Sequence, residues 1–312
     1  MPRFRKRTYR RKRVSGRSKT VARTRTYGRR KIRKTYRRPT RTMTRKSILN
    51  LTATKKRDTM IAGNTFPPAA TNVGAMTVTS DSPAVLLWSP TAREIGSVPS
   101  TNLTLPVNTQ RTSQTPFIVG LSEKITIRTG TSNAWRWRRI VFHMKGLPPG
   151  VNDYADPNLG RVWTKIDLST GYDEYQRVNT PLPFTMVSPL YSFLFKGFGL
   201  NNFAATPRDW MDPITAPIDT SIINVKYDST VNIRSGNDVG IVKTFNRWHG
   251  VRKNIYYGDE EIGGQLASSP WSTTSKMGCG DMYVCDIIVG NSSDPDDFLD
   301  FLPTTTLYWH EK

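Results

Sequence analysis

The chain has 312 residues, and its 46 lysines and arginines against 24 acidic residues give a formal net charge of +22 at neutral pH. Two cysteines in a chain of this length argue against a disulfide framework. The apolar runs at residues 84–88 and 191–195 are far shorter than the roughly 18–20 residues that span a bilayer, and no secretory signal is recognisable. We therefore expect a soluble protein with no membrane partner.

The positive charge lies at the start of the chain. Residues 1–57 contain 25 of the 46 basic residues and none of the 24 acidic ones, so the remainder carries 21 basic against 24 acidic groups, a net charge of −3. Having few aliphatic side chains, the basic segment buries too little apolar surface to offset the entropy of ordering. The sequence thus predicts a largely disordered arm over residues 1–57 and a folded domain over residues 58–312.

Apolar residues in the folded domain recur mostly with a period of two, which indicates strands. Strands are predicted at residues 75–80, 83–89, 124–129, 135–144, 221–235, 241–248, 253–258, 281–290 and 305–310. Residues 221–235 form either two short strands or one bent strand. A single helical turn is predicted at residues 207–212, and no helix longer than about ten residues is expected. This pattern predicts an all-β fold, a single jelly roll built as a two-sheet antiparallel sandwich.

The histidines form no constellation expected of an enzyme. His143, His249 and His310 do not have the spacing of a zinc site, and nucleophile-elbow and phosphate-loop motifs are absent from the sequence. His143 is interpreted as a strand residue whose ring has its hydrogen-bond partners. We therefore expect no enzymatic activity, no catalytic residue, no metal site and no cofactor.

The other reactive groups have simple interpretations. The acidic residues at 259–261 could bind a cation or a basic neighbour, but a solvated turn is the favoured interpretation. Those at 294–297 are expected in an exposed loop. Cys279 and Cys285 are interpreted as buried free thiols.

The basic arm has the properties of a polyanion-binding segment. A mobile polycation binds nucleic acid by releasing counterions, with little sequence preference and strong salt dependence, and arginine suits bidentate phosphate contacts. Tyr9, Tyr27 and Tyr36 could stack on unpaired bases or be incidental in a low-complexity segment. The predicted DNA-binding residues are Arg3, Arg5, Lys6, Arg7, Arg10, Arg11, Lys12, Arg13, Arg17, Lys19, Arg23, Arg25, Arg29, Arg30, Lys31, Arg33, Lys34, Arg37, Arg38, Arg41, Arg45, Lys46, Lys55, Lys56 and Arg57.

Part of the arm also resembles a basic nuclear-import signal, which nuclear-import receptors would bind. The two roles are compatible, because nucleic acid would cover the signal only after import. The residues of this predicted signal are Lys6, Arg7, Arg10, Arg11, Lys12 and Arg13.

A smaller basic group lies in the predicted strand at residues 135–144. Arg136 and Arg138 would share one face of this strand, with Trp135 and Trp137 on the other. The arginines, with Arg139, either meet phosphate or a neighbouring subunit or pair with acidic loops.

Three segments carry a resemblance to a known family. "SILNLTATKKRDTM" (47–60), "SPLYSFLFKGFGLNNF" (188–203) and "VKTFNRWHGVRKNIYYGDEE" (242–261) resemble the coat proteins of genomoviruses, which are related to those of geminiviruses. The resemblance implies a jelly-roll capsid subunit that assembles into a homo-oligomer, either about sixty copies or a twinned shell. It also implies packaging of circular single-stranded DNA by the arm, nuclear import through host receptors, and location in the virion and the host nucleus.

Two other classes of function compete with this expectation. One is a non-enzymatic nucleic-acid-binding protein of chromosomal or ribosomal type, and the other is an enzyme with a basic localisation tail. The nearly neutral folded domain argues against the first, because such proteins usually spread basic residues over their folded surface.

Overall fold

The computed structural model describes residues 43–64, 73–96, 109–151, 162–168, 172–199 and 208–312. The predicted disorder of the arm concerns residues that lie mostly outside these ranges. The strands are β1 (Thr54–Met60), β2 (Ala62–Gly63), β3 (Met76–Thr79), β4 (Ala84–Trp88), β5 (Phe117–Thr129), β6 (Trp135–Met144), β7 (Thr164–Leu168), β8 (Tyr172–Val178), β9 (Asn224–Ile233), β10 (Val242–Asn254), β11 (Glu260–Ile262), β12 (Gln265–Ala267), β13 (Asp281–Gly290) and β14 (Phe298–Glu311). The helices are α1 (Arg45–Thr52) and α2 (Phe184–Leu194).

The first sheet is antiparallel and has the strand order β1–β14–β5–β10. Strand β1 pairs with the C-terminal part of β14, from Thr54 opposite Glu311 to Met60 opposite Thr305. Strand β3 pairs with the N-terminal part of β14, on the other side from β5. Strands β1 and β3 therefore occupy one edge of the sheet in succession.

The second sheet is also antiparallel and has the order β4–β13–β6–β9. If β1 and β3 count as one strand, these two sheets contain eight strands. Numbered from one to eight along the chain, they have the order 1-8-3-6 in the first sheet and 2-7-4-5 in the second. Eight strands connected in this way form a jelly roll. The predicted fold class, an all-β sandwich of two antiparallel sheets, is confirmed.

The two sheets differ in how many of their faces are covered. Side chains of β5 and β14 alternate between buried and more exposed along most of their length, as expected when one face packs on the core. In contrast, all five residues of β4 and the first eight of β13 are buried. Helix α2 belongs to the same core as β13, through Leu190, Leu194 and Cys285. In the described part of the chain, the first sheet therefore keeps one face toward solvent.

Helix α2 was not predicted by the periodicity. Its buried residues include Met186, Leu190 and Leu194, which lie four apart on one side of the helix, and the helix contains Pro189. Burial of this side outweighs the unfavourable effect of an internal proline. Neither described helix is long and apolar enough to cross a membrane. The predicted helical turn at residues 207–212 is wrong, since residues 208–212 have no helical conformation.

The predicted strands are largely confirmed, with different boundaries. Residues 221–235 contain one strand, β9, and the register with its partner shifts once. The predicted strand at 253–258 is instead the end of β10 followed by an isolated bridge between Tyr257 and Ser272. Strand β1 was not predicted, because its run of three basic residues obscures the alternation. It includes residues 54–57, which the charge distribution assigned to the arm.

Candidate nucleic-acid interface

Most of the predicted DNA-binding residues lie outside the described residues. They are the basic residues at positions 3–41, which include the import signal, and the three candidate stacking residues Tyr9, Tyr27 and Tyr36 lie outside as well. Their roles stay predictions.

Five predicted DNA-binding residues lie in described elements. Arg45 and Lys46 are the first two residues of helix α1, and the Arg45 side chain is exposed. Lys55, Lys56 and Arg57 follow in β1, where alternation separates them: Lys55 and Arg57 are exposed, and Lys56 is buried. Only Lys55 and Arg57 of these three have side chains at the surface.

Lys56 is held in a buried polar cluster. Its Nζ atom lies 2.7 Å from Oε2 of Glu311 and donates hydrogen bonds to the carbonyl oxygen of Gln110 and to Oγ1 of Thr112. Trp309 Nε1 donates to the other oxygen of Glu311. Burial by itself would raise the pKa of Glu311, but the hydrogen bonds from Lys56, Thr112 and Trp309 outweigh it and lower that pKa. This geometry gives Lys56 a structural role, joining β1 to β14.

The basic group in β6 does not form an open phosphate-binding face. Arg136 pairs with Asp212, and Arg138 makes a bidentate pair with Asp228 at 2.9 and 2.8 Å. The arginines thus pair with carboxylates, as the second interpretation predicted. However, Arg138 is buried, and its partner lies in strand β9 rather than in a loop.

Arg139 belongs to an ionic network between the two sheets. Its guanidinium makes a bidentate contact with Asp286 at 2.7 and 2.8 Å and also donates to Glu123. Arg177 joins the same two carboxylates, at 3.1 Å from Glu123 and 2.9 Å from Asp286. Two buried positive charges therefore face two buried negative charges.

The pKa values in this network follow from that pairing. Burial would raise the pKa of Glu123 and of Asp286, but Arg139 and Arg177 outweigh burial, and both pKa values are lowered. The pKa of Arg139 is raised, because its carboxylate partners outweigh its own desolvation. Glu123, Asp286 and Arg139 stay charged at neutral pH, so the network is suited to holding the sheets together rather than to proton transfer.

The acidic segment at 259–261 divides into two environments. The side chain of Asp259 is buried and accepts two hydrogen bonds from Arg111, at 2.6 and 3.0 Å. The favoured interpretation of a solvated turn is wrong for Asp259, which binds a basic neighbour instead. Glu260 and Glu261 are exposed in β11.

The acidic loop at 294–297 is held by hydrogen bonds to the nearby Ser292 and to Thr131, which is distant in the chain. Asp297 accepts hydrogen bonds from Thr131 and Ser292, and Asp294 and Asp296 are exposed. In the described ranges, no three His, Cys, Asp or Glu residues are grouped so that they could hold a metal ion. Cys279 and Cys285 are free thiols, as predicted, and Cys285 is buried; the prediction of burial is wrong for Cys279, which is half-buried.

His143 and His249 line a small cavity of about 90 Å³ beside Lys226 and Tyr227. Burial lowers the pKa of both histidines to about 4, so both rings are neutral at neutral pH. His143 lies in strand β6, as predicted, and its ring has a hydrogen bond to the backbone of Gly280. The prediction of a fully satisfied ring is wrong, because Nδ1 has no hydrogen-bond partner among the described residues.

Aromatic rings lie beside the exposed cations of β1. Lys55 is opposite His310, and Arg57 is opposite Tyr308, both in β14. The Tyr308 ring centroid lies 5.8 Å from that of Trp248 in β10. The sequence contains these rings in "NRWHG" and "LYWHE", but it does not show that two strands so distant in the chain share a sheet face. Sequence reasoning therefore did not identify them.

No family model matches the chain, and no curated protein matches it.

Proposed function

We propose that the protein is the coat protein of a small single-stranded DNA virus. It assembles into a closed shell and packages circular DNA through its basic N-terminal segment. One observation carries the proposal. An N-terminal segment with 25 basic residues and no acidic residue is joined to a jelly-roll domain whose sequence has a net charge of −3. Jelly rolls recur in viral capsid domains.

The charge of the segment fits packaging by many copies. A shell of about sixty subunits would contain roughly 1,500 positive charges from residues 1–57. This number neutralises most of the phosphates of a genome on the order of 1.5–2.5 kilobases, with other cations neutralising the rest. The resemblance of residues 47–60, 188–203 and 242–261 to genomovirus coat proteins supports the same function.

The proposal includes passage through the host nucleus. The basic signal at residues 6–13 is recognised by host import receptors before assembly and is covered by DNA afterwards. The protein then resides in the virion, as one of about sixty subunits or in a twinned shell.

The test is to express the full chain and examine it by negative-stain electron microscopy and nuclease protection. Uniform particles about 200 Å across that protect DNA are expected, since a domain of this size is several tens of Å wide. A variant lacking residues 1–46 should assemble poorly or give empty particles. A second variant keeps the full length but has glutamine at every basic position from 3 to 41. It separates the effect of losing the positive charge from the effect of losing the segment itself.

Two results would overturn the proposal. One is packaging of the normal amount of DNA by both variants. The other is a monodisperse monomer at every salt concentration, which would favour a nucleic-acid-binding protein of chromosomal or ribosomal type.

A further inference from the structure

The outer face of the first sheet combines aromatic rings that are exposed or half-buried with cations that pair with no carboxylate of the described residues. We define this outer face by the alternate side chains of β1, β14, β5 and β10 that point away from the core. We infer that it binds unpaired bases of single-stranded DNA, with Trp248 and Tyr308 as the stacking residues. The inference rests on the proposed function and adds a second DNA contact, on the folded domain rather than the arm.

The first ring pair crosses three strands. Trp248 is in β10, and its indole lies across β5 over Gly120, where a Cβ atom would be 2.7 Å from indole Cζ2. Any larger residue at position 120 would collide with the ring and with the backbone of His249. Beyond Gly120 the indole meets Tyr308, which is opposite Arg57. Glycine at position 120 thus leaves room for the two neighbouring rings of Trp248 and Tyr308, beside Arg57.

A second pair lies beside the first. Phe117 of β5 is opposite His310 of β14, with ring centroids 6.2 Å apart, and His310 is opposite Lys55. Burial, and to a lesser extent Lys55, lowers the pKa of His310, so its ring is neutral at neutral pH. Each aromatic pair therefore ends at an exposed cation of β1.

The spacing of the two pairs suits an extended single strand. Alternate residues of a strand are about 7 Å apart, roughly twice the 3.4 Å step between stacked nucleotides of a duplex. Each pair can therefore accept one base from a strand whose bases are unstacked. The side chains next to Tyr308 are short, since Thr59 and Thr306 lie opposite each other there with their hydroxyls 3.0 Å apart.

The charge of the outer face favours a polyanion. Lys55, Arg57 and Lys124 point outward, and none of them pairs with a carboxylate of the described residues. The one outward carboxylate in these four strands, Asp300 of β14, pairs with Arg128 at 3.2 Å. Stacking rings beside unpaired cations are the combination that binds single strands without sequence preference.

Chain connectivity strengthens this choice of ligand. Strand β1 begins within the basic segment, at Thr54, so DNA bound by the preceding residues of the arm is at high effective concentration near Lys55 and Arg57. The arm supplies the salt-dependent attraction, and the outer face adds contacts to bases that salt screens less.

Tryptophan fluorescence of the full chain tests the inference directly. All eight tryptophans lie in the described part of the chain; seven are at most 9% exposed, whereas Trp248 is 51% exposed. Titration with a thymidine oligonucleotide should quench the Trp248 emission, and a duplex of equal length should quench it much less. Trp248→Ala should abolish this quenching and weaken single-strand binding about tenfold at high salt, measured by fluorescence anisotropy.

Two control variants make the test specific. Phe184→Ala removes an aromatic ring that is 65% exposed and lies on helix α2, and it should change neither signal. Trp248→Phe should lose the quenching but keep most of the affinity, because a stacking ring remains.

The outcomes separate this inference from the proposed function. Single-strand binding without quenching, and with equal affinity for wild type and Trp248→Ala, would overturn the outer-face site while leaving DNA binding by the arm intact. Loss of assembly in Trp248→Ala with unchanged DNA affinity would show that a second subunit covers this face, which also overturns the inference. No binding of any DNA would overturn the proposed function itself.

Discussion

Lys56 and Glu311 form a buried ion pair, with 2.7 Å between Nζ and Oε2, that links the first strand of the jelly roll to its last. The two neighbours of Lys56 in sequence, Lys55 and Arg57, point to the opposite side and are exposed. A run of three basic residues thus serves two purposes: its centre fixes β1 in the sheet, and its flanking residues give the outer face its positive charge.

Replacing Lys56 with alanine should destabilise the folded domain by about 3 kcal/mol, because Glu311 would stay buried without its counter-ion. Thr112 and Trp309 still donate to the carboxylate, which limits the loss. Urea denaturation followed by circular dichroism measures the change. Lys55→Ala removes the same charge one residue away and should change the free energy of unfolding by less than about 0.5 kcal/mol. Equal effects of the two variants would contradict the structural role of Lys56.

A second stability prediction compares two arginines of strand β6. Arg139→Met leaves the buried Glu123 and Asp286 with only one of their two arginine partners. It should lower the free energy of unfolding by about 3–5 kcal/mol. Arg136→Met breaks the pair between Arg136 and Asp212, whose side chains are 38% and 32% exposed respectively. It should lower the free energy of unfolding by less than about 1 kcal/mol. Chemical denaturation of both variants gives the comparison. A cost for Arg139→Met as small as that for Arg136→Met would show that the network contributes little.

Most strands of the two sheets could be predicted from the sequence, but the partners of the arginines in β6 could not. The alternation in residues 124–129 and 305–310 predicts strands with one buried face, and the structure has β5 and β14 there. The same reasoning placed the arginines of residues 135–144 at a surface, because charged residues are rarely buried without partners. The partners of Arg139 come from β5 and β13, 16 and 147 positions away, and no local pattern indicates them.

The outer face was hidden for the same reason. The ring of Trp248 meets that of Tyr308 only because β10 and β14 both flank β5, which is a property of the sheet order. Helix α2 was missed because tertiary burial, rather than local propensity, stabilises a helix containing Pro189. Composition was sufficient for the charge asymmetry, which depends on residue types alone.

The stability of the domain should depend on pH through Asp281. Burial outweighs the hydrogen bonds from Ser272 and raises the pKa of Asp281 from about 4 to about 7. Between these values the folded state keeps a proton that the unfolded state releases, so the contribution of Asp281 to stability falls as pH rises from about 4 to about 7. The full loss is up to about 4 kcal/mol. His143 and His249, with pKa values of about 4, act in the opposite direction between pH 4 and 6.5.

Asp281→Asn isolates this contribution, because the histidines titrate equally in both proteins. The free energy of unfolding of the variant, relative to wild type, should rise as pH increases from 4.5 to 8 in urea denaturation experiments. Asp294→Asn, at an exposed loop position, is the control and should change stability by less than about 0.5 kcal/mol. A constant difference between Asp281→Asn and wild type across this pH range would show that Asp281 titrates near its ordinary pKa.

The salt dependence of DNA binding should report the cations of the outer face. Each phosphate contact to single-stranded DNA contributes about 0.7 to the slope of log affinity against log salt concentration. The double variant Lys55→Ala/Arg57→Ala should therefore reduce the slope of the full chain by about 1.4, measured by anisotropy with a single-stranded oligonucleotide. Arg234→Ala/Lys276→Ala removes two exposed charges outside the four strands of this face, and it should leave the slope unchanged. Equal slopes for both double variants would mean that the total charge of the protein, rather than the position of Lys55 and Arg57, determines how the folded domain contributes to binding.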